Sequence, residues 1–162
     1  MQTLSPEWRN AVHPEDPEHV REIVSSTGFF SQDEIDIAVE LVTERLEKGI
    51  ESGYHFIFAE AAGKTVGYAC FGPIPATQKN YDLYWIAVQN DYRGAGIGKQ
   101  LLNISEEAIY QLGGARVYIE TSGRDQYVST RAFYLRCAYM EDAVLDDFYA
   151  PGDAKYIYVK KI

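Results

Sequence analysis

Sulfur is scarce in this chain, whose 162 residues include only 2 cysteines and 2 methionines. Cys70 and Cys137 stand far apart in apolar stretches, with no CxxC and no Cys/His spacing. That excludes a disulfide framework and a zinc-type metal site, and both read as buried, reduced thiols. Bases are short as well: 15 Lys and Arg face 24 Asp and Glu, a formal charge of −9. A nucleic-acid binder needs a basic stripe to neutralise phosphates, and none can be assembled here. Long apolar runs are missing, since no stretch approaches the about 18 apolar residues of a membrane span. Met1 to Arg9 has no basic segment followed by an apolar one. The expectation is a cytoplasmic protein with no membrane segment, no nucleic-acid partner and no metal.

What is present is a foldable core. Apolar residues make up 46% of the chain and include thirteen Tyr, seven Phe and two Trp, with no repeat or polar tract, so residues 1–162 read as one domain. The acidic balance suits a cationic partner, although solubility alone also accounts for it. After an extended start around Trp8 to Val12, Asp16-Pro17 opens a helix running to Ser26 and ended by Gly28. Ser31 and Glu34 have capping-box spacing before a second helix carrying Ile35, Val39, Val42 and Leu46. Tyr54–Glu60 and Thr65–Phe71 then form a predicted hairpin. Leu83–Val88 is an unbroken apolar run, as expected of a central strand covered on both faces. From Gly96 to about Leu112, the residues Leu101, Leu102, Ile104, Ala108, Ile109 and Leu112 make one helical face. A short strand at Val117–Glu120, a helix at Tyr127–Ala138 and a hairpin of Tyr139–Tyr149 with Lys155–Lys160 complete the order β-α-α-β-β-β-α-β-α-β-β. This is an α+β pattern with one mixed sheet. Its terminal hairpin is the place where two copies could pair as a homodimer.

Between the apolar strand and the strong helix lies Arg93-Gly94-Ala95-Gly96-Ile97-Gly98-Lys99. Glycines at alternate positions let several backbone N–H groups converge at a helix start, where unsatisfied donors and a partial positive charge favour an anion. Arg93 and Lys99 can add charge-assisted contacts. A tight turn that uses glycine for its backbone freedom competes evenly with phosphate binding. A dinucleotide-binding oxidoreductase is another reading, with Glu120 at about the distance of a ribose-binding acid, but GxGxxG would require glycine where Lys99 stands. A Walker A loop fails for want of a following Gly-Lys-Ser/Thr.

The run from Val88 to Leu102 resembles the acyl-CoA signature of the GNAT superfamily of N-acetyltransferases, Arg/Gln-x-x-Gly-x-Gly/Ala, matched at Arg93, Gly96 and Gly98. Arg131 to Tyr139 is similar to that family's Ala-x-Tyr-x-x-x-Gly-Phe helix end, with Ala138-Tyr139 in place of Gly-Phe. The element order also resembles the family's layout over nearly the whole chain. The resemblance implies a GNAT-like fold, acetyl-CoA as co-substrate and a primary amine, small molecule or peptide, as acceptor. It implies that a bulged strand presents backbone groups of Ile86, Ala87 and Val88 to the thioester arm. Amides of Arg93, Gly94, Ala95, Gly96, Ile97, Gly98 and Lys99 would hold the pyrophosphate.

Acyl transfer to an amine needs a proton acceptor for an ammonium of pKa about 10 and a proton donor for a thiolate whose conjugate acid titrates near about 8.5. Tyr134 matches the family tyrosine held near the CoA sulfur and is suited to the acid role. Glu120, at a strand's C-terminal end, is the preferred base, with Asp82 and a water relay as the fallback. By resemblance the acceptor is recognised by the first two helices, Phe29-Phe30, the Ser122–Thr130 stretch with Arg124, Asp125 and Tyr127, and the terminal hairpin with Asp146, Asp147 and Tyr149. A non-catalytic acyl-CoA-binding module would keep the glycine loop and need neither Tyr134 nor Glu120.

Overall fold

Ser31 and Glu34 do what their spacing predicts. The Glu34 amide donates to Ser31 Oγ at 3.2 Å and the Ser31 amide donates to Glu34 Oε1 at 3.1 Å, so two orphan donors of the helix start are satisfied reciprocally. The structure, a computed structural model, describes residues 5–162. The first residues of the Met1–Arg9 stretch, read above for a leader signal, lie outside the described residues. The elements are β1 (Glu7–Arg9), α1 (Asp16–Ser26), α2 (Gln32–Lys48), β2 (His55–Ala61), β3 (Lys64–Pro73), β4 (Asn80–Val88), α3 (Ile97–Gln111), β5 (Arg116–Ser122), α4 (Val128–Arg136), β6 (Met140–Ala150) and β7 (Asp153–Lys161). Seven strands form a mixed sheet in the order β1-β2-β3-β4-β5-β7-β6, with β4 and β5 parallel across the α3 crossover.

The chain divides into two compact units. One runs to Gly72 and resumes over Trp85–Ala108; the other joins Pro73–Tyr84 to Ile109–Ile162. In the first, Phe56, Phe58, Tyr68, Cys70 and Ala87 meet Val20, Ile23, Val24, Ile35, Ala38 and Val42 of α1 and α2 in one buried cluster. Gly67, beside Tyr68, points to the other face. A Cβ there would stand 3.2 Å from both the Ala87 carbonyl oxygen and Leu101 Cδ1, so glycine lets α3 approach β3 closely. Asp16 is fully buried and receives two hydrogen bonds from the Arg9 guanidinium, at 2.7 and 2.9 Å, and one from the His13 amide at 2.6 Å. Burial pushes its carboxyl up, but the bonds from Arg9, His13 and His19 prevail and hold it below the usual range.

In the second unit Val117, Ile119 and Tyr158 are buried, and α4 packs there through Tyr134, whose ring lies 6.2 Å from that of Tyr158 and 5.9 Å from that of Tyr139. Gly114 is demanded by space, because a Cβ would collide with Ile109 Cγ2 and come within 2.8 Å of Tyr81 Cδ1. Ala138 leaves α4 with φ +71°, the left-handed exit that suits the glycine it replaces in the motif.

Several expectations need correction. The β4 run is not covered on both faces, since Tyr84 is exposed and Trp85, Ile86 and Val88 are only half-buried. Leu112 is also exposed, because α3 ends at Gln111 and the Gly113 turn carries the chain away. Cys137 is half-buried rather than buried, as it stands at the C-terminal cap of α4.

Candidate active-site elements

The glycine loop behaves as its composition predicts. Gly94 and Gly96 adopt φ +83° and +80°, conformations that L side chains rarely take, and the whole run from Arg93 to Gly96 is exposed. The first intrahelical bond of α3 runs from the Gln100 amide to the Gly96 carbonyl at 3.1 Å. The amides of Ile97, Gly98 and Lys99 therefore precede the helical ladder and are presented at its positive end. Gly98 lies in the first helical turn, where a missing side chain keeps those amides approachable. The lead-in is fixed by local bonds: the Gln89 amide donates to Val66 O at 2.7 Å, Gln89 Oε1 accepts from the Asp91 amide at 2.8 Å, and the Asn90 amide donates to Ser26 Oγ at 3.0 Å. Arg93 extends its guanidinium over Phe29, 5.4 Å from the ring centroid, and Lys99 is exposed. Such an arrangement fits a pyrophosphate: backbone donors converge at a helix start, no Cβ crowds Gly94 or Gly96 from within, and two cations flank it. Among the expected arm contacts, Ala87 is buried while Ile86 and Val88 are half-buried.

In the second unit the strand register sorts the candidate acid and bases. Asp82 pairs with Tyr118, and Glu120 follows two residues on, so both carboxylates share a face. Glu120 pairs with Ile157 and Ser122 with Lys155, which puts Lys155 on that face too. Lys155 Nζ lies 2.9 Å from Glu120 Oε2 and 4.4 Å from the centroid of Phe148. Ile119 and Tyr158, and with them Tyr134, occupy the opposite face. Burial pushes the Asp82 carboxyl up to about 6; the Glu120 charge adds to the rise and Lys155 opposes it. Tyr134 is buried, and desolvation raises its phenol well above the ordinary value, so it keeps its proton throughout the neutral range.

The structure thus brings Glu120 together with Asp82 and adds Lys155 and Phe148, which the sequence reading did not single out. Lys155 could be found only through the β5–β7 register. Other residues expected at the acceptor also hold the local fold. Asp147 Oδ1 accepts from the Gly152 amide at 2.7 Å and closes the hairpin. Arg124 pairs with Asp153 at 3.3 Å, and Arg131 donates to the carbonyls of Ser122 and Arg124, pinning the 122–130 segment.

Exposed backbone donors at the start of a helix, in an α+β chain with one mixed sheet, are the pattern of a protein that takes a phosphate-bearing ligand. The chain matches the acetyltransferase (GNAT) family model over residues 7–139, and it belongs to that family. It is 31% identical over 106 residues to an uncharacterised N-acetyltransferase of Methanocaldococcus jannaschii, an alignment that spans 65% of each chain. A solved acetyltransferase assigned to the GNAT family, from Desulfovibrio desulfuricans, superposes with TM-score 0.95 at 44% identity and covers 97% of this chain and 99% of its own. The fold alone is shared with the PaiA N-acetyltransferase of Thermoplasma acidophilum in complex with coenzyme A, at TM-score 0.75, 20% identity and coverage of 98% and 100%.

Proposed function

We propose that the protein transfers an acetyl group from acetyl-CoA to a primary amine by direct attack, with Tyr134 as general acid and a carboxylate of the Asp82–Glu120 pair as general base, the two reaching the thioester from opposite faces of the sheet past the point where the β4–β5 pairing ends at Asp82 and Tyr118. The observation that carries the reading is the exposed loop at the start of α3, with left-handed Gly94 and Gly96 and the amides of Ile97, Gly98 and Lys99 ahead of the helical ladder. In this reading the amides of Arg93 to Lys99 hold the CoA pyrophosphate, and backbone groups of Ile86, Ala87 and Val88 hold the arm. Acetyl-CoA, when bound, supplies an activated acyl group whose sulfur departs as a thiol. The cytoplasm, where such thiols and Cys70 stay reduced, is the matching compartment, and the exposed β6 edge is where two copies would pair.

Glu120 was the preferred base on sequence, but a specific observation favours Asp82. Glu120 is tied to Lys155 in an ion pair, whereas Asp82 is half-buried and titrates at about 6, close to the pH at which it must work. Above that pH the Asp82 carboxylate is ready to take a proton from the acceptor ammonium. Tyr134 keeps its own proton until the C–S bond of the tetrahedral intermediate breaks; the phenol then gives that proton to the departing thiolate, which leaves as CoA thiol, and the phenolate regains a proton from solvent. The test is ligand-dependent melting joined to a thiol-release assay. Acetyl-CoA should raise the melting temperature and NAD(P) should not, and CoA thiol should appear only with an amine present. Stabilisation by NAD(P) instead would overturn the reading, and acetyl-CoA binding without thiol release from any amine would favour a binding module.

A further inference from the structure

The sheet face that carries Asp82 of β4 and Glu120 of β5 holds more than carboxylates. Lys155 stands among them with its side chain only 14% exposed, fixed between Glu120 and the ring of Phe148. Leu145 pairs with Lys155 across the β6–β7 ladder and Ile157 pairs with Glu120, so both share this face. Helix α4 is packed on the other face through Tyr134. Leu145 is 40% exposed and Phe148 51%, so an open apolar strip borders the charged trio. Two carboxylates and one ammonium sum to a single negative charge, which one cationic group neutralises. A second ammonium on the same ligand would meet Lys155 Nζ, which Glu120 and Phe148 keep in place.

We propose that the acceptor is a primary amine carrying one positive charge and an apolar body, its ammonium against Asp82 and Glu120 and its body over Phe148, Leu145 and Ile157. This rests on the acetyl-transfer reading and specifies its substrate class. Charge complementarity selects a monocation, and the exposed strip selects what is attached to it. Phe148 acts twice, as apolar seat and as the cap that holds Lys155. Polycations such as polyamines and aminoglycosides fit neither the charge nor the strip.

The experiment is a thiol-release assay of the full chain with acetyl-CoA and four amines: phenethylamine, leucinamide, spermidine and kanamycin. The first two have one charge and an apolar body, one as a free amine and the other as an α-amine of the kind found at a peptide start. The expected kcat/KM for at least one of them exceeds that for spermidine and kanamycin by about tenfold or more. Phe148→Ala should raise KM for the preferred monoamine about tenfold, with kcat changed by less than about twofold, since the apolar seat is lost while Glu120 still pairs Lys155. Lys155→Met should narrow the gap to spermidine by about tenfold, because the trio then carries two negative charges. A preference for spermidine or kanamycin overturns the proposal and leaves acetyl transfer standing. So does a Phe148→Ala variant, folded by its melting curve, with unchanged KM. Thiol release from none of the four, nor from any other primary amine, overturns the acetyl-transfer reading and the proposal with it.

Discussion

Asp82 has two charged neighbours of opposite sign, which makes its role testable by the direction of a shift. Its carboxyl is pushed up to about 6 in the folded chain from an ordinary 3.8, by burial first and the Glu120 charge second, with Lys155 pulling the other way. As the base, Asp82 must be ionised, so kcat/KM should rise with pH around a midpoint of about 6 and level off before the amine itself loses its proton near about 10. Glu120→Gln removes a like charge and should move that midpoint down. Lys155→Met removes the opposing cation and should move it up. Asp82→Asn should abolish the limb and lower kcat/KM by about 10²–10⁴. A second readout follows from linkage. A carboxyl whose folded pKa is raised favours the folded state most below its unfolded pKa, and loses that contribution as pH climbs to about 6. The full shift would cost about 3 kcal/mol at neutral pH, discounted to about 1–2 kcal/mol for solvent access. Asp82→Asn should therefore melt at higher temperature than the parent at pH 7 while losing activity. Rate–pH profiles and melting curves of the four proteins check this. A limb that both neighbours leave in place, or one that disappears with Glu120→Gln but survives Asp82→Asn, would refute the assignment.

Four further outcomes are expected. Tyr134→Phe should lower kcat by about 10²-fold or more while acetyl-CoA still raises the melting temperature, because the phenol donates its proton late and the loop does the binding. Gly96→Val forces a β-branched residue to φ +80° and should abolish stabilisation by CoA in the same melting assay while the chain still folds. Ala138→Gly relieves an L residue at φ +71° and should stabilise by about 0.5–1 kcal/mol in urea titration. Arg9→Leu leaves the buried Asp16 carboxylate without its guanidinium and should cost about 3 kcal/mol or more. In the parent chain, Asp16 is held below its usual range, so its contribution is present above about 4 and fades as acid is added.

Local signals carried most of the fold. The Ser31–Glu34 box, the helical period of α2 and α3 and the glycine stops act within a few residues, so reading them requires no partner strand. The loop at Arg93 to Lys99 was legible for the same reason, since donors at a helix start are a property of one segment. Exposure of β4 was not legible. An apolar run reads as doubly covered, and Tyr84 is exposed because what lies over a strand is decided by elements far away in sequence. The surroundings of the two candidate bases, both named from the sequence, were hidden by the same kind of distance. Glu120 stands out in its own strand, but its ion pair with Lys155 depends on β7 lying beside β5, and the elevation of Asp82 depends on burial and on Glu120 across the β4–β5 ladder. At the exit of α4, by contrast, sequence and structure together say more than either does alone. At position 138, where alanine stands for the motif's glycine, the backbone still turns left-handed, with the Tyr139 amide donating to the Tyr134 carbonyl at 3.0 Å. The turn that the motif's glycine would make easily is kept at a cost of strain, which is the expected result if the position of Tyr134 and its neighbours on the sheet matters more to this chain than the stability lost at one residue.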